Sequence, residues 1–176
     1  ESGDGTFSQY GLQPENKLIG IYPGSRSSEL KHHLPVFRDV ARRLVNSVES
    51  AHFIVPGFER DRQILTDHFR EFDNRLTIIT DPDHKNGIMP HLDVAMAVNG
   101  TIGLELGLCK IPHITCYKTG PLTYLLGKHL VRLDHIHLVN ILADHDCLPE
   151  KSIVPEFIQT GICPDKIAKT LQSLIH

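Results

Sequence analysis

The 176-residue chain contains no long hydrophobic run. No segment approaches the roughly 18 consecutive apolar residues of a membrane-spanning helix. The opening ESGDGTFSQYG also lacks the basic-then-apolar order of a signal peptide. The chain therefore reads as soluble, or as peripheral at a membrane. Cysteine is sparse: Cys109, Cys116, Cys147 and Cys163 are unevenly spaced and form no C-x-x-C pair. That excludes a disulfide-stapled secreted domain and suits a reducing cytoplasm. Charge of one sign is lacking as well. The 18 Lys and Arg face 21 Asp and Glu, for a net charge of -3. With no basic stripe, nucleic acid is set aside as a partner. There is no repeat, no low-complexity block and no G-x-S-x-G motif, so neither a solenoid nor a serine nucleophile is expected.

What is present is alternation. At 40% hydrophobic, the chain can close one ordinary core. Residues 1–16 carry no periodicity and read as a linker or cut end, with one Rossmann-like domain over residues 17–176. Short apolar runs at Lys17–Tyr22, Ala51–Val55, Leu76–Thr80, Val94–Val98 and Ile114–Tyr117 read as strands. Helical spacing follows at 29–46, 59–72, 101–109 and 122–133, and again after Cys163-Pro164. Pro35 inside the first of these predicts either a late helix start or a kink. Strands separated by crossover helices imply a doubly wound α/β fold around a parallel sheet.

In such folds the loops leaving the carboxyl ends of the strands carry the chemistry. After the first strand comes Pro23-Gly24-Ser25-Arg26, after the second Pro56-Gly57, and after the fourth Asn99-Gly100-Thr101. Gly24 would let backbone N–H groups approach an anion, Ser25 adds a hydroxyl and Arg26 a planar fork. The structural alternative is a tight turn in which Ser27 or Ser28 caps the helix and Arg26 lies in solvent. Gly100-Thr101 opens a helix whose N-terminus favours a phosphate, with Glu105 one turn on. Its apolar neighbours predict a partly buried carboxylate, placed to accept from ribose hydroxyls.

The segments YPGSRSSEL, AMAVNGTIGLELGLCKIPHITCYKTGPLTYLLGKHLV, LVNILAD and IVPEFIQ together resemble the carboxyl-terminal half of lipid-A-disaccharide synthases, a family of GT-B glycosyltransferases. The resemblance implies metal-free, inverting transfer of 2,3-diacylglucosamine from its UDP carrier to 2,3-diacylglucosamine 1-phosphate. It implies no cofactor, with the UDP-sugar as substrate, and a protein peripheral on the cytoplasmic face of the inner membrane, with pairing into a homodimer left open. By position, Gly24, Ser25 and Arg26 match the family's P-G-S-R segment, and Arg26 is assigned to the charge developing on the UDP leaving group. One such donor can be worth about 3 kcal/mol. Asn99, Gly100, Thr101 and Glu105 match the stretch for phosphate and ribose, Asn99 standing where serine is usual. Asn140 and Glu156 match positions that would contact substrate, Val139 replacing the family's proline. The resemblance further implies that the amino-terminal acceptor domain is missing from this chain, so the expectation is weak UDP binding and no transfer by this chain alone. A non-catalytic nucleotide-binding module and half of a UDP-sugar epimerase are the alternatives.

Other clusters weigh little. Asp134-His135-x-His137, Asp144-His145-Asp146-Cys147 and His32-His33 match no closed tetrahedral spacing, so no metal is expected and these residues read as surface. Leu122–Arg132, apolar with a basic end, reads as sheet-packing with membrane contact as the alternative.

Overall fold

The computed structural model describes residues 9–119, 136–145 and 153–175. In chain order it contains β1 (Lys17–Tyr22), α1 (Ser27–Ser47), β2 (Ala51–Pro56), α2 (Arg62–Phe69), β3 (Leu76–Ile79), α3 (Pro82–Ile88), β4 (Val94–Val98), α4 (Thr101–Leu108), β5 (His113–Tyr117), α5 (Leu138–His145), β6 (Glu156–Ile158) and α6 (Pro164–Leu174). The strands form one sheet in the order β3-β2-β1-β4-β5-β6, and every neighbouring pair is parallel. The chain winds outward from β1 to β3, then returns to the other side of β1 with β4. Strand order reverses between β1 and β4, and a doubly wound sheet opens its crevice there.

The apolar runs become strands because both sheet faces are covered, so neighbouring side chains on either face can be buried. Five of the six residues of β1 are buried. Alternate residues feed opposite cores. Ile19 and Ile21 pack with Leu34, Phe37 and Leu44 of α1 and with Ile167 and Leu171 of α6. Leu18 and Tyr22 join Ile88, Met89 and Leu106 on the other face. Gly20 sits between, opposite Ile54 and Ala95. A Cβ at Gly20 would lie 2.8 Å from the Leu92 side chain, so the close approach there requires glycine.

Several elements differ from the sequence reading. α1 runs unbroken through Pro35, which is exposed together with Lys31. The Lys31 carbonyl that proline cannot serve therefore faces water. Asp81-Pro82, directly after the third predicted strand, starts α3: the Asp81 carboxylate accepts from the N–H groups of Asp83 and His84, and proline occupies the first turn. The expected helix over 59–72 divides into a 3-10 turn, α2 and a further 3-10 stretch. α5 and the three-residue β6 were not anticipated. Within 1–16, Leu12 is buried in the second core, with Tyr10 against it. The helix expected over 122–133, Asp134-His135, and Asp146-Cys147 lie outside the described residues.

Two histidines read as surface are buried: His33 is 1% exposed and His137 0%. His33 is held because its Nδ1 lies 2.8 Å from the Glu29 carbonyl and its Nε2 accepts from the Lys118 N–H. Among the described residues, no helix is long and apolar enough to cross a membrane, and no three His, Cys, Asp or Glu gather as a metal site.

Candidate functional site: a crevice at the carboxyl ends of β1, β2 and β4

A cavity of about 530 Å³ opens at the point where strand order reverses. Its walls include the loop after β1, the loop after β2, the end of α3, and the start of α4. It brings Gly24, Ser25 and Arg26 together with Asn99, Gly100, Thr101 and Glu105.

The loop after β1 is shaped by an acid within the chain. Arg26 is the N-cap of α1 and Glu29 lies at the third helical position. Glu29 Oε2 accepts from the N–H of Ser25 at 2.9 Å and of Arg26 at 3.2 Å, and its Oε1 accepts from Arg26 Nη1 at 3.2 Å. Gly24 adopts φ +101°, where L side chains are strained. A Cβ there would lie 2.5 Å from Glu29 Oε2. The amides expected to hold an external anion are therefore occupied by the Glu29 carboxylate. The cap is supplied by Glu29 reaching back, not by Ser27 or Ser28. The Arg26 side chain remains 81% exposed at the cavity wall.

α4 presents its N-terminus to the same space. Gly100 is its N-cap, in extended backbone at φ 167°. A Cβ at Gly100 would meet no described atom within 4 Å. The first N–H groups of a helix have no intrahelical acceptor, so those of Thr101 and Ile102 are oriented for an anion. Glu105 is exposed, not partly buried as expected. Gly103 and Leu106 take the buried face of α4, which leaves Glu105 on the face it shares with Thr101, along the cavity.

A third wall was not read from the sequence. Phe58 is 44% exposed, with the Arg60 guanidinium 4.5 Å and Lys85 Nζ 4.9 Å from its ring centroid. Lys85 Nζ donates to the Gly57 carbonyl and Arg60 Nη2 to that of Ser25, each at 3.1 Å. These cations tie the loops after β1 and β2 to α3, and Lys85 adds positive charge to the lining. Asn86, Met89 and Tyr22 complete that side. The signal available was Phe58 itself, an aromatic residue in an otherwise polar turn.

Two polar atoms of lining residues lack a protein partner among the described residues: the Tyr22 hydroxyl and Asn99 Oδ1. Burial, then the charges of Glu105 and Cys109, push the Tyr22 phenol well above its ordinary range, so it stays protonated. Asn99 is fixed by its Nδ2 donating to the Ile136 carbonyl at 3.0 Å.

Asn140 and Glu156 do not line this cavity. Asn140 is 1% exposed. Its Nδ2 donates to the Val154 carbonyl and to Glu156 Oε1, and its Oδ1 accepts from the Val154 N–H. Glu156 also accepts from the N–H groups of Ile136 and His137. The pair joins α5 to β6, its polar groups taken up by partners within the chain.

Beneath α4 lies a histidine pair. His137 Nδ1 accepts from the Val139 N–H, which leaves its Nε2 as the protonated nitrogen facing His113 Nε2 at 3.4 Å. His113 Nδ1 in turn lies 2.8 Å from the Ile111 carbonyl and donates to it. Both rings are thus neutral. Burial, reinforced by His113 and opposed by Glu156, lowers the His137 pKa to about 4.

The arrangement offers a guanidinium, an ammonium group and a helix N-terminus around a cavity large enough for a nucleotide, with a carboxylate placed for hydroxyl groups. Residues 6–176 match a family described as lipid-A-disaccharide synthetase. A lipid-A-disaccharide synthase of Nitrosococcus oceani is 32% identical over 169 residues, covering 96% of this chain and 42% of its own length. Among solved structures, the ADP-heptose LPS heptosyltransferase II of E. coli superposes with a TM-score of 0.65 at 13% identity, over 99% of this chain and 51% of that one. An Anabaena protein in complex with UDP-glucose gives 0.59 at 13% identity, over 99% and 43%. The sheet is thus of the Rossmann-like kind found in GT-B glycosyltransferases. The chain spans less than half the length of the Nitrosococcus relative.

Proposed function

The chain belongs to the lipid-A-disaccharide synthase family, and on that premise we propose that it is the donor-binding part of a glycosyltransferase of lipid A biosynthesis. The reaction moves 2,3-diacylglucosamine from its UDP carrier to 2,3-diacylglucosamine 1-phosphate, giving the disaccharide 1-phosphate and UDP. The acceptor hydroxyl attacks the anomeric carbon, the bond from that carbon to the diphosphate oxygen breaks, and the hydroxyl proton passes to a base. Negative charge grows on the departing diphosphate. In this reading Arg26 and the N-terminus of α4 stabilise that charge, Gly100 and Thr101 hold phosphate, and Glu105 accepts from the ribose. Gly24 and Ser25 shape the turn that carries Arg26. The acceptor site and the base belong to the part of the relatives' length that this chain does not span, so the chain by itself binds UDP weakly and transfers nothing. Acylated substrates would bring the protein to the cytoplasmic surface of the inner membrane as a peripheral enzyme, and the donor site as described needs no second copy of the chain.

The observation that carries the reading is that the loops after β1 and β4 face one cavity, with a guanidinium on one and a helix N-terminus and carboxylate on the other. The nucleotide of the Anabaena neighbour, UDP-glucose, is of the proposed ligand class. Titrating UDP into the 15N-labelled chain should shift the amides of 24–26 and 100–101 together. Absence of shifts in both loops would remove the donor site, and turnover by this chain alone would remove the division of labour.

A further inference from the structure

Both oxygens of Glu29 are committed to the loop that bears Arg26. Two backbone N–H groups fix Oε2, and Arg26 Nη1 meets Oε1. The carboxylate is 21% exposed, against 81% for the Arg26 side chain. Gly24 has no Cβ where Glu29 packs, so the turn is built to admit this acid.

A lone exposed arginine sweeps many rotamers, and ordering it costs side-chain entropy. An ordinary surface ion pair recovers little of that, because both partners must be immobilised. Here one partner is already held by the backbone, so only the arginine has to be ordered. One edge of the guanidinium is anchored while the rest stays at the cavity wall. The same carboxylate takes the Ser25 and Arg26 amides, so a diphosphate entering the cavity meets the guanidinium and not the turn.

We propose that Glu29 is a positioning residue: it holds the Arg26 guanidinium toward the cavity and reserves the turn amides, directing a bound diphosphate onto that guanidinium. The inference rests on the reading of Arg26 as a ligand of the leaving diphosphate.

Glu29→Gln tests it, since the amide oxygen can still accept from the two backbone N–H groups while the charge is lost. Thermal unfolding and the backbone amide spectrum establish that the variant folds. In the ligand-free chain, the Arg26 Nε–H 15N relaxation should change from ordered in the parent to the averaged behaviour of a free arginine in Glu29→Gln. UDP should then bind about fivefold more weakly, with the 100–101 shifts retained, and Glu29→Asp should recover part of both effects. Unchanged Arg26 relaxation in Glu29→Gln overturns the proposal. So does tighter UDP binding accompanied by large Ser25 and Arg26 amide shifts, which would make Glu29 a competitor for the anion site. If UDP moves neither loop in the parent chain, the donor-site reading fails, and the ligand-free relaxation still decides whether Glu29 positions Arg26.

Discussion

Two glycines beside the cavity answer to different demands. Gly24 is required by the fold, through its φ of +101° and the Glu29 carboxylate packed against it. Gly100 has neither constraint among the described residues, being extended at φ 167° with no described neighbour where a Cβ would stand. Gly24→Ala should therefore destabilise the chain by about 1–3 kcal/mol in urea unfolding. Gly100→Ala should leave the unfolding midpoint in place and weaken UDP binding by about tenfold, or ~1.4 kcal/mol. Equal effects of the two changes on stability would contradict the distinction. Sequence spacing found both glycines but treated them alike, because the partner that separates them, Glu29, was not assigned a role.

At the scale of elements, α4 is seated on the neutral His113–His137 pair. Gly103 makes the close approach possible, since a Cβ there would overlap the His137 ring. Burial lowers the pKa of His137 to about 4 and also lowers that of His113. In the unfolded chain both titrate near the ordinary value of 6.5. Between these values the unfolded state binds more protons than the folded one, so the neutral pair's contribution is full above pH 6.5 and declines as pH falls toward 4. The loss from His137 alone is on the order of 2 kcal/mol. Denaturant midpoints from pH 7.5 to 4.5 should show this slope, and His137→Gln should flatten it. An unchanged slope would mean that the ring is protonated in the fold. β1 and β4 were legible to the residue, because buried parallel strands are continuous apolar runs between turn signals. β6 has three residues and no periodicity, and α3 begins on a proline that reads equally as a stop or as a first-turn residue. The Phe58 and Lys85 wall was illegible for another reason: it is joined by a tertiary contact between the loop after β2 and α3, from Gly57 to Lys85, 28 residues apart.

For the molecule as a whole, the sheet separates two cores, and the second extends to residues before β1. Leu12 is 5% exposed within it. If residues 9–16 belong to the folded unit, Leu12→Ala should cost about 2–4 kcal/mol in urea unfolding, the range for a buried leucine. A change below about 0.5 kcal/mol, typical of surface positions, would return the segment to linker status.

The six described strands all run the same way, which gives the sheet a working end and an anchoring end. Lys17 and Asp93, ion-paired at 3.0 Å, mark the latter. A mutational scan scored separately for nucleotide retention and for folding should sort along the strand axis: losses of retention without loss of fold would collect where the strands finish, however far apart those positions lie in the chain.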